Sequence, residues 1–147
     1  MMITPRKEDT YHKIQLYRLL KGVIDDGEIS SHLCFKGGTC AALLDRLDRF
    51  SLDLDFDLLP ETDRGMLKKR FHRLFQTLQL EIKDESKKTL LFILNYDAPE
   101  GQRNTIKLGA VDESVKSSAC APQYLSDIDR YMNCQTIESM FAHKLVA

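Results

Sequence analysis

The chain has 147 residues, with 21 Lys+Arg against 22 Asp+Glu and a formal net charge of -1, so nothing in the overall balance draws it to nucleic acid or anionic lipid. Hydrophobic residues at 43% and charged residues at 29% exclude the disordered and collagen-like classes, and the length suits one ordinary domain, 1–147, with a core of useful size. Arg6, Lys7, Glu8 and Asp9 precede any apolar stretch and no run is long enough for a membrane span, which predicts no signal peptide and a cytoplasmic address.

In chain order, Tyr11, Ile14, Tyr17, Leu20 and Ile24 recur at helical spacing and predict a helix over 9–25, with Asp9 or Thr10 as N-cap. His32-Leu33-Cys34-Phe35 reads as a brief buried strand entering a turn at Gly37-Gly38. Thr39 is placed to cap a helix over 39–49 whose inward stripe is Ala42, Leu43, Leu47 and Phe50. An acidic strand follows and ends near Pro60. Residues 62–78 return to helical period, with Leu67, Phe71, Leu74, Phe75 and Leu78 inward and Lys68, Lys69, Arg70, His72 and Arg73 outward. Strands are predicted over 80–83, 89–96 and 105–111, and 112–135 is mixed and polar enough to read as loop with short turns. Thr136 caps a last helix containing Ile137, Met140, Phe141 and Leu145, which is still apolar at Ala147, so the sequence reads as cut short. Cys34, Cys40, Cys120 and Cys134 form no C-x-x-C pair and are expected to be reduced, buried thiols.

The chemistry is concentrated in "FSLDLDFDLL". Residues two apart on a strand share a face, about 6.8 Å apart, so Ser51, Asp53, Asp55 and Asp57 line one face while Leu52, Leu54, Phe56 and Leu58 line the other. Two readings fit. Charge on an edge strand discourages aggregation. Alternatively, aspartate is depleted in strands and its charges repel there, so its repetition points to a compensating cation. Mg²⁺ takes one or two carboxylates and keeps places for water and substrate phosphates, and paired ions about 3.5–4 Å apart serve phosphoryl transfer. Upstream, Gly37-Gly38-Thr39 lets the backbone approach an anion, with the Thr39 hydroxyl beside it; the chain has no G-x-x-x-x-G-K-[ST] phosphate loop.

This combination resembles the opening motif of the DNA polymerase β-like nucleotidyltransferases, a G-[GS]-[ST] turn followed by a D-x-D strand. In its fuller form, "KGGT...RFSLDLDF", it is similar to the AbiEii/AbiGii toxin family of bacterial toxin–antitoxin and phage-defence systems. The matching residues are Lys36, Gly37, Gly38, Thr39, Arg49, Phe50, Ser51, Asp53, Leu54, Asp55 and Phe56. The resemblance implies a mixed α/β (α+β) nucleotidyltransferase fold, a small sheet packed by helices and apparently lacking a C-terminal helical part. It implies Asp53 and Asp55 as catalytic ligands of Mg²⁺, in a two-ion site. Gly37, Gly38, Thr39 and Ser51 would hold a nucleoside triphosphate (NTP), whose monophosphate is transferred to a hydroxyl with release of pyrophosphate. Partners implied are a cognate antitoxin and, for some members, tRNA as acceptor.

"IESMFAHKLVA" is similar to a later family motif and makes Lys144 a catalytic candidate; on spacing alone its stem lies beside the apolar stripe with the amine in water. Lys107, on the run "NTIKLGAV", is a further phosphate-binding candidate or an exposed strand lysine, and Asp57 is expected in the periphery or in solvent. Family members continue into an "RD...D" segment that has no counterpart here. Glu81, Asp97, Asp112 and Glu113 cannot be ranked as substitutes, and His72 and His143 lack paired ligand spacing. The basic run "LKKRFHRLF" reads either as the solvated side of a helix or as an RNA-contacting face. Two alternatives stay open beside the toxin: an inactive remnant that binds nucleotide or antitoxin, and a nucleotidyltransferase acting on a small molecule such as an antibiotic.

Overall fold

The computed structural model describes residues 7–44, 52–111 and 120–136. It opens with α1 (Lys7–Asp25) and a single helical turn, α2 (Gly27–Ser30), which the sequence did not suggest. Asp26 breaks the two apart, its carboxylate accepting from the Glu28 amide at the N-cap of α2. The buried face of α1 is His12, Leu16, Leu19, Leu20 and Val23. Ile14 of the expected stripe is 57% exposed, because the helix carries two overlapping apolar stripes and the core takes the 16–19–20–23 set; Tyr11, Tyr17 and Ile24 pack at its margin.

Next come β1 (Leu33–Lys36), α3 (Gly37–Leu43), β2 (Leu54–Leu58) and α4 (Arg64–Thr77), then β3 (Glu81–Glu85), β4 (Leu90–Asn95), β5 (Thr105–Val111), β6 (Cys120–Leu125) and β7 (Arg130–Gln135). The strands form one mixed sheet in the order β3-β4-β5-β2-β1-β7-β6. Sequential neighbours pair antiparallel, whereas β2 with β5 and β1 with β7 are parallel pairs that need long crossovers. The acidic strand β2 is therefore central, between β5 and β1, and the edge-strand reading is excluded.

One face of the sheet is the core. Leu54 is in register with Leu108 and Phe56 with Ala110, Phe35 lies 5.2 Å from Phe56 between ring centroids, and α4 lays Phe71 and Phe75 on Phe92 at 5.5 and 5.0 Å. Leu67, Phe71 and Phe75 of α4 are buried as the helical period predicts, and Asp63 caps the helix by accepting from the Met66 amide. No described helix is long and apolar enough to cross a membrane.

Three sequence expectations are corrected. Residues 120–135 form a hairpin rather than loop; Pro122 obscured β6 and polar neighbours masked the Met132–Cys134 alternation, yet proline is tolerated because β6 is a sheet edge. Thr39 does not cap α3, which begins at Gly37 with Lys36 as its N-cap residue. Cys34 and Cys120 are joined in a disulfide across an 86-residue separation, with Cα atoms 6.1 Å apart, while Cys40 and Cys134 remain buried thiols. Spacing could not reveal that pair, because only the return of β6 to the β1 side of the sheet brings the two sulfurs together. Helix residues expected over 45–49 and after 136 lie outside the described residues.

Phe92 receives both α4 rings, so Phe92→Ala is expected to lower unfolding free energy by about 3–5 kcal/mol in a denaturant titration.

Candidate active site

The site is built on the face of the sheet opposite the aromatic core. Lys36, Asp55, Gly109 and Leu91 are aligned across β1, β2, β5 and β4 in one row, and Cys34, Asp57 and Val111 in the next. Three side chains at positions 53, 55 and 57 would repel one another on a central strand, and the structure separates their environments. Asp57 is fully buried rather than solvated, and its carboxylate is held by the Lys36 ammonium at 2.6 Å. Lys36 reaches past its opposite residue, Asp55, to make that pair. A carboxylate without a countercharge in such a place would be strongly unfavourable.

Asp55 is half-buried and its carboxyl is held above the usual aspartate range. Burial is the largest cause and the Asp53 charge the next; Lys107 and Lys36 pull in the other direction, and Asp57 adds a further upward push. Asp55 thus faces a deficit of positive charge that the nearby ammonium groups only partly offset.

The turn between β1 and α3 closes over Asp55. Gly37 has φ +83°, in the left-handed region that favours glycine, and a Cβ there would stand 2.7 Å from Asp55 Oδ2. Only a residue without a side chain lets the backbone pass this close. Gly38 follows in the first turn of α3, where backbone amides have no intrahelical acceptor. Thr39 is buried and sends its hydroxyl across to donate to the Asp53 carbonyl, which ties α3 to the entry of β2. On β5, Gly109 lies in register with Asp55 and presents no side chain to it, and Lys107, one step along the same face, is exposed.

The structure therefore brings together Gly37, Gly38, Thr39, Asp53, Asp55 and Lys107 of the sequence-derived set. Ser51 and Lys144 lie outside the described residues, as do Arg49, Phe50, Asp112 and Glu113. Glu81 is on edge strand β3, three positions from β2, and does not join the site. Among the described residues no group of three or more His, Cys, Asp or Glu could hold a metal ion. Along the basic run, Lys68 and His72 are taken by Glu85 at 3.3 and 2.8 Å and Arg70 by Asp26 at 3.5 Å.

Two residues escaped sequence reasoning. Lys36 stood in the motif without a role; the β1–β2 register sets it opposite Asp55, and only the folded structure shows its ammonium on Asp57. His12 is buried and touches Tyr96 and the Leu52 carbonyl, partners 84 and 40 residues away that no local pattern predicts.

Because the Asp55 pKa is raised in the folded state, the native chain holds its proton above the ordinary value of 3.8 and its contribution to stability is lost as pH rises through the folded pKa. Asp55→Asn is expected to abolish that loss, so the variant is more stable than the parent at neutral pH and the difference narrows toward pH 4, measured by denaturant titration across pH. Gly37→Ala, strained by its φ and by Asp55, is expected to cost about 1–3 kcal/mol in the same measurement.

None of the curated proteins matches the chain. A crystal structure of an H. pylori protein assigned as a nucleotidyltransferase superposes with a TM-score of 0.64 at 21% identity, covering 97% of this chain and 60% of that one. JHP933 from Helicobacter pylori gives a TM-score of 0.62 at 20% identity, covering 97% and 58%. The fold is thus shared with these proteins, and the chain spans about three-fifths of their length. The family model described as nucleotidyl transferase AbiEii toxin, type IV toxin–antitoxin system, matches residues 18–147, and the chain belongs to that family.

Proposed function

We propose that the Gly37–Asp57 unit is the nucleotide and metal site of a toxin nucleotidyltransferase that transfers a nucleoside monophosphate from an NTP to a hydroxyl acceptor. The observation that carries this reading is Asp55, pressed against the Gly37 backbone with Asp53 beside it and left with a raised pKa. Such a pair is a poor structural element and a good receptor for added positive charge.

In this reading Asp53 and Asp55 would hold Mg²⁺, which would supply charge neutralisation on the phosphates. The amides of Gly37, Gly38 and Thr39 would draw the triphosphate against the turn, and Lys107 would add a cation at the rim of the same face. The acceptor oxygen attacks the α-phosphorus, the bond to pyrophosphate breaks, and the hydroxyl proton leaves to solvent or to a nearby carboxylate. Positioning and electrostatics do most of the work in such a displacement. Ser51 and Lys144 enter as further ligands of the nucleotide by the family resemblance.

The antitoxin partner, the role in phage defence and the cytoplasmic address belong to the same proposal and rest on the family. For tRNA as acceptor, the support on this chain is local. Lys69 and Arg73, four residues apart and exposed on α4, make no ion pair among the described residues, while their neighbours on the helix are engaged by Glu85 and Asp26.

Calorimetric titration with ATP, GTP, CTP and UTP, with and without Mg²⁺, tests the reading. Mg²⁺-dependent binding that an Asp53→Ala, Asp55→Ala double variant loses is the expected result. A folded chain that binds no nucleotide under any condition would leave a remnant without catalytic function as the better account.

A further inference from the structure

We propose that His12 is a positioning residue for Asp53, acting through the backbone one residue before it. Asp53 precedes β2, whose ladder with β5 begins at Leu54, so the sheet does not fix it. Two side chains do. Thr39 Oγ1 donates to the Asp53 carbonyl, and His12 Nε2 lies 2.9 Å from the Leu52 carbonyl oxygen. Two consecutive carbonyls at the entry to β2 are thereby held, one by α3 and one by α1.

The chemistry fixes how His12 does this. A carbonyl oxygen only accepts, so Nε2 carries the hydrogen and donates to Leu52. In the neutral ring Nδ1 is then an acceptor, and the Tyr96 hydroxyl, 2.7 Å away, donates to it. Tyr96 is itself immobilised: it is buried, its amide donates to the Asn104 carbonyl, and its ring packs against Tyr11 and His12 with centroids 5.7 Å apart in each case. The relay Tyr96–His12–Leu52 therefore runs from the end of β4 through the first turns of α1 to the residue before Asp53, and it selects one imidazole tautomer. A buried histidine on an apolar helix face could have been satisfied in many ways; this one gives its Nε2–H to the segment that carries a site carboxylate.

What Asp53 is positioned for rests on the nucleotidyltransferase reading; that it is positioned by His12 does not. The test compares the wild type with His12→Gln, which retains an N–H able to reach the Leu52 carbonyl, and His12→Leu, which has none. Mn²⁺ affinity in the presence of ATP is read by electron paramagnetic resonance of the free ion, and the Asp53 amide by ¹H–¹⁵N NMR. The expected result is an affinity about tenfold weaker in His12→Leu, the size of one lost hydrogen bond and a buried carbonyl left unmade. His12→Gln is expected within about threefold of the wild type, with the Asp53 amide shifted in the leucine variant and returned in the glutamine one. Wild-type affinity and an unmoved Asp53 amide in folded His12→Leu would overturn the proposal. If the leucine variant does not fold, long-range ¹H–¹⁵N spectra of the wild type decide, since a hydrogen on Nδ1 rather than Nε2 overturns it equally. Should the wild type take up no Mn²⁺, the nucleotidyltransferase reading fails by itself, and the amide shifts still judge the His12 role.

Discussion

The Lys36–Asp57 ion pair is the interaction that allows a central strand to carry this many carboxylates. Asp57 has no access to water, and its neighbours on both sides are strands rather than solvent. Removing one partner of a buried ion pair costs about 3–5 kcal/mol in comparable settings. Lys36 is also the last residue of β1 and the residue before the Gly37 turn. The same contact therefore neutralises the strand and sets where the turn begins, so the electrostatic problem and the shape of the site have a common solution.

With Asp57 settled, the remaining charge is left where it can be used. Asp53 and Asp55 stand at the end of β2 that meets the turn, and Asp55 is raised by burial and by its neighbour while two amines compensate in part. Two glycines border them: Gly37 closes over Asp55 from the turn into α3, and Gly109 flanks it from β5. Space and an unsatisfied preference for positive charge coincide at this one place on the sheet.

Much of this was legible in local sequence. The helical period of α4, the strand at 105–111 and the alternation of β2 all follow from spacings of two to four residues, and the Gly37-Gly38-Thr39 turn with its D-x-D strand is a short-range pattern. What the sequence hid was long-range. Whether β2 is an edge or a centre depends on β5 and β1 closing on it, and the answer changes Asp57 from a solvated acid to a buried one. Thr39 looked like a helix cap because cap residues are recognised by type, while its actual partner is 14 residues downstream. The β6–β7 hairpin was missed because strands at an edge tolerate the proline and polar residues that elsewhere argue for loop. Ile14 and Leu16 both belong to apolar stripes of α1, and only the packed sheet decides between them.

The order of strands has a consequence for how the molecule comes into being. β1 and β2 can pair as soon as residue 58 is made, but β2 gains its second neighbour only with 105–111 and β1 only with 130–135. Both late pairings are parallel and close long loops, the kind of contact that slows folding most. During synthesis β2 therefore keeps an open flank until β5 has been made, and β1 until β7 has.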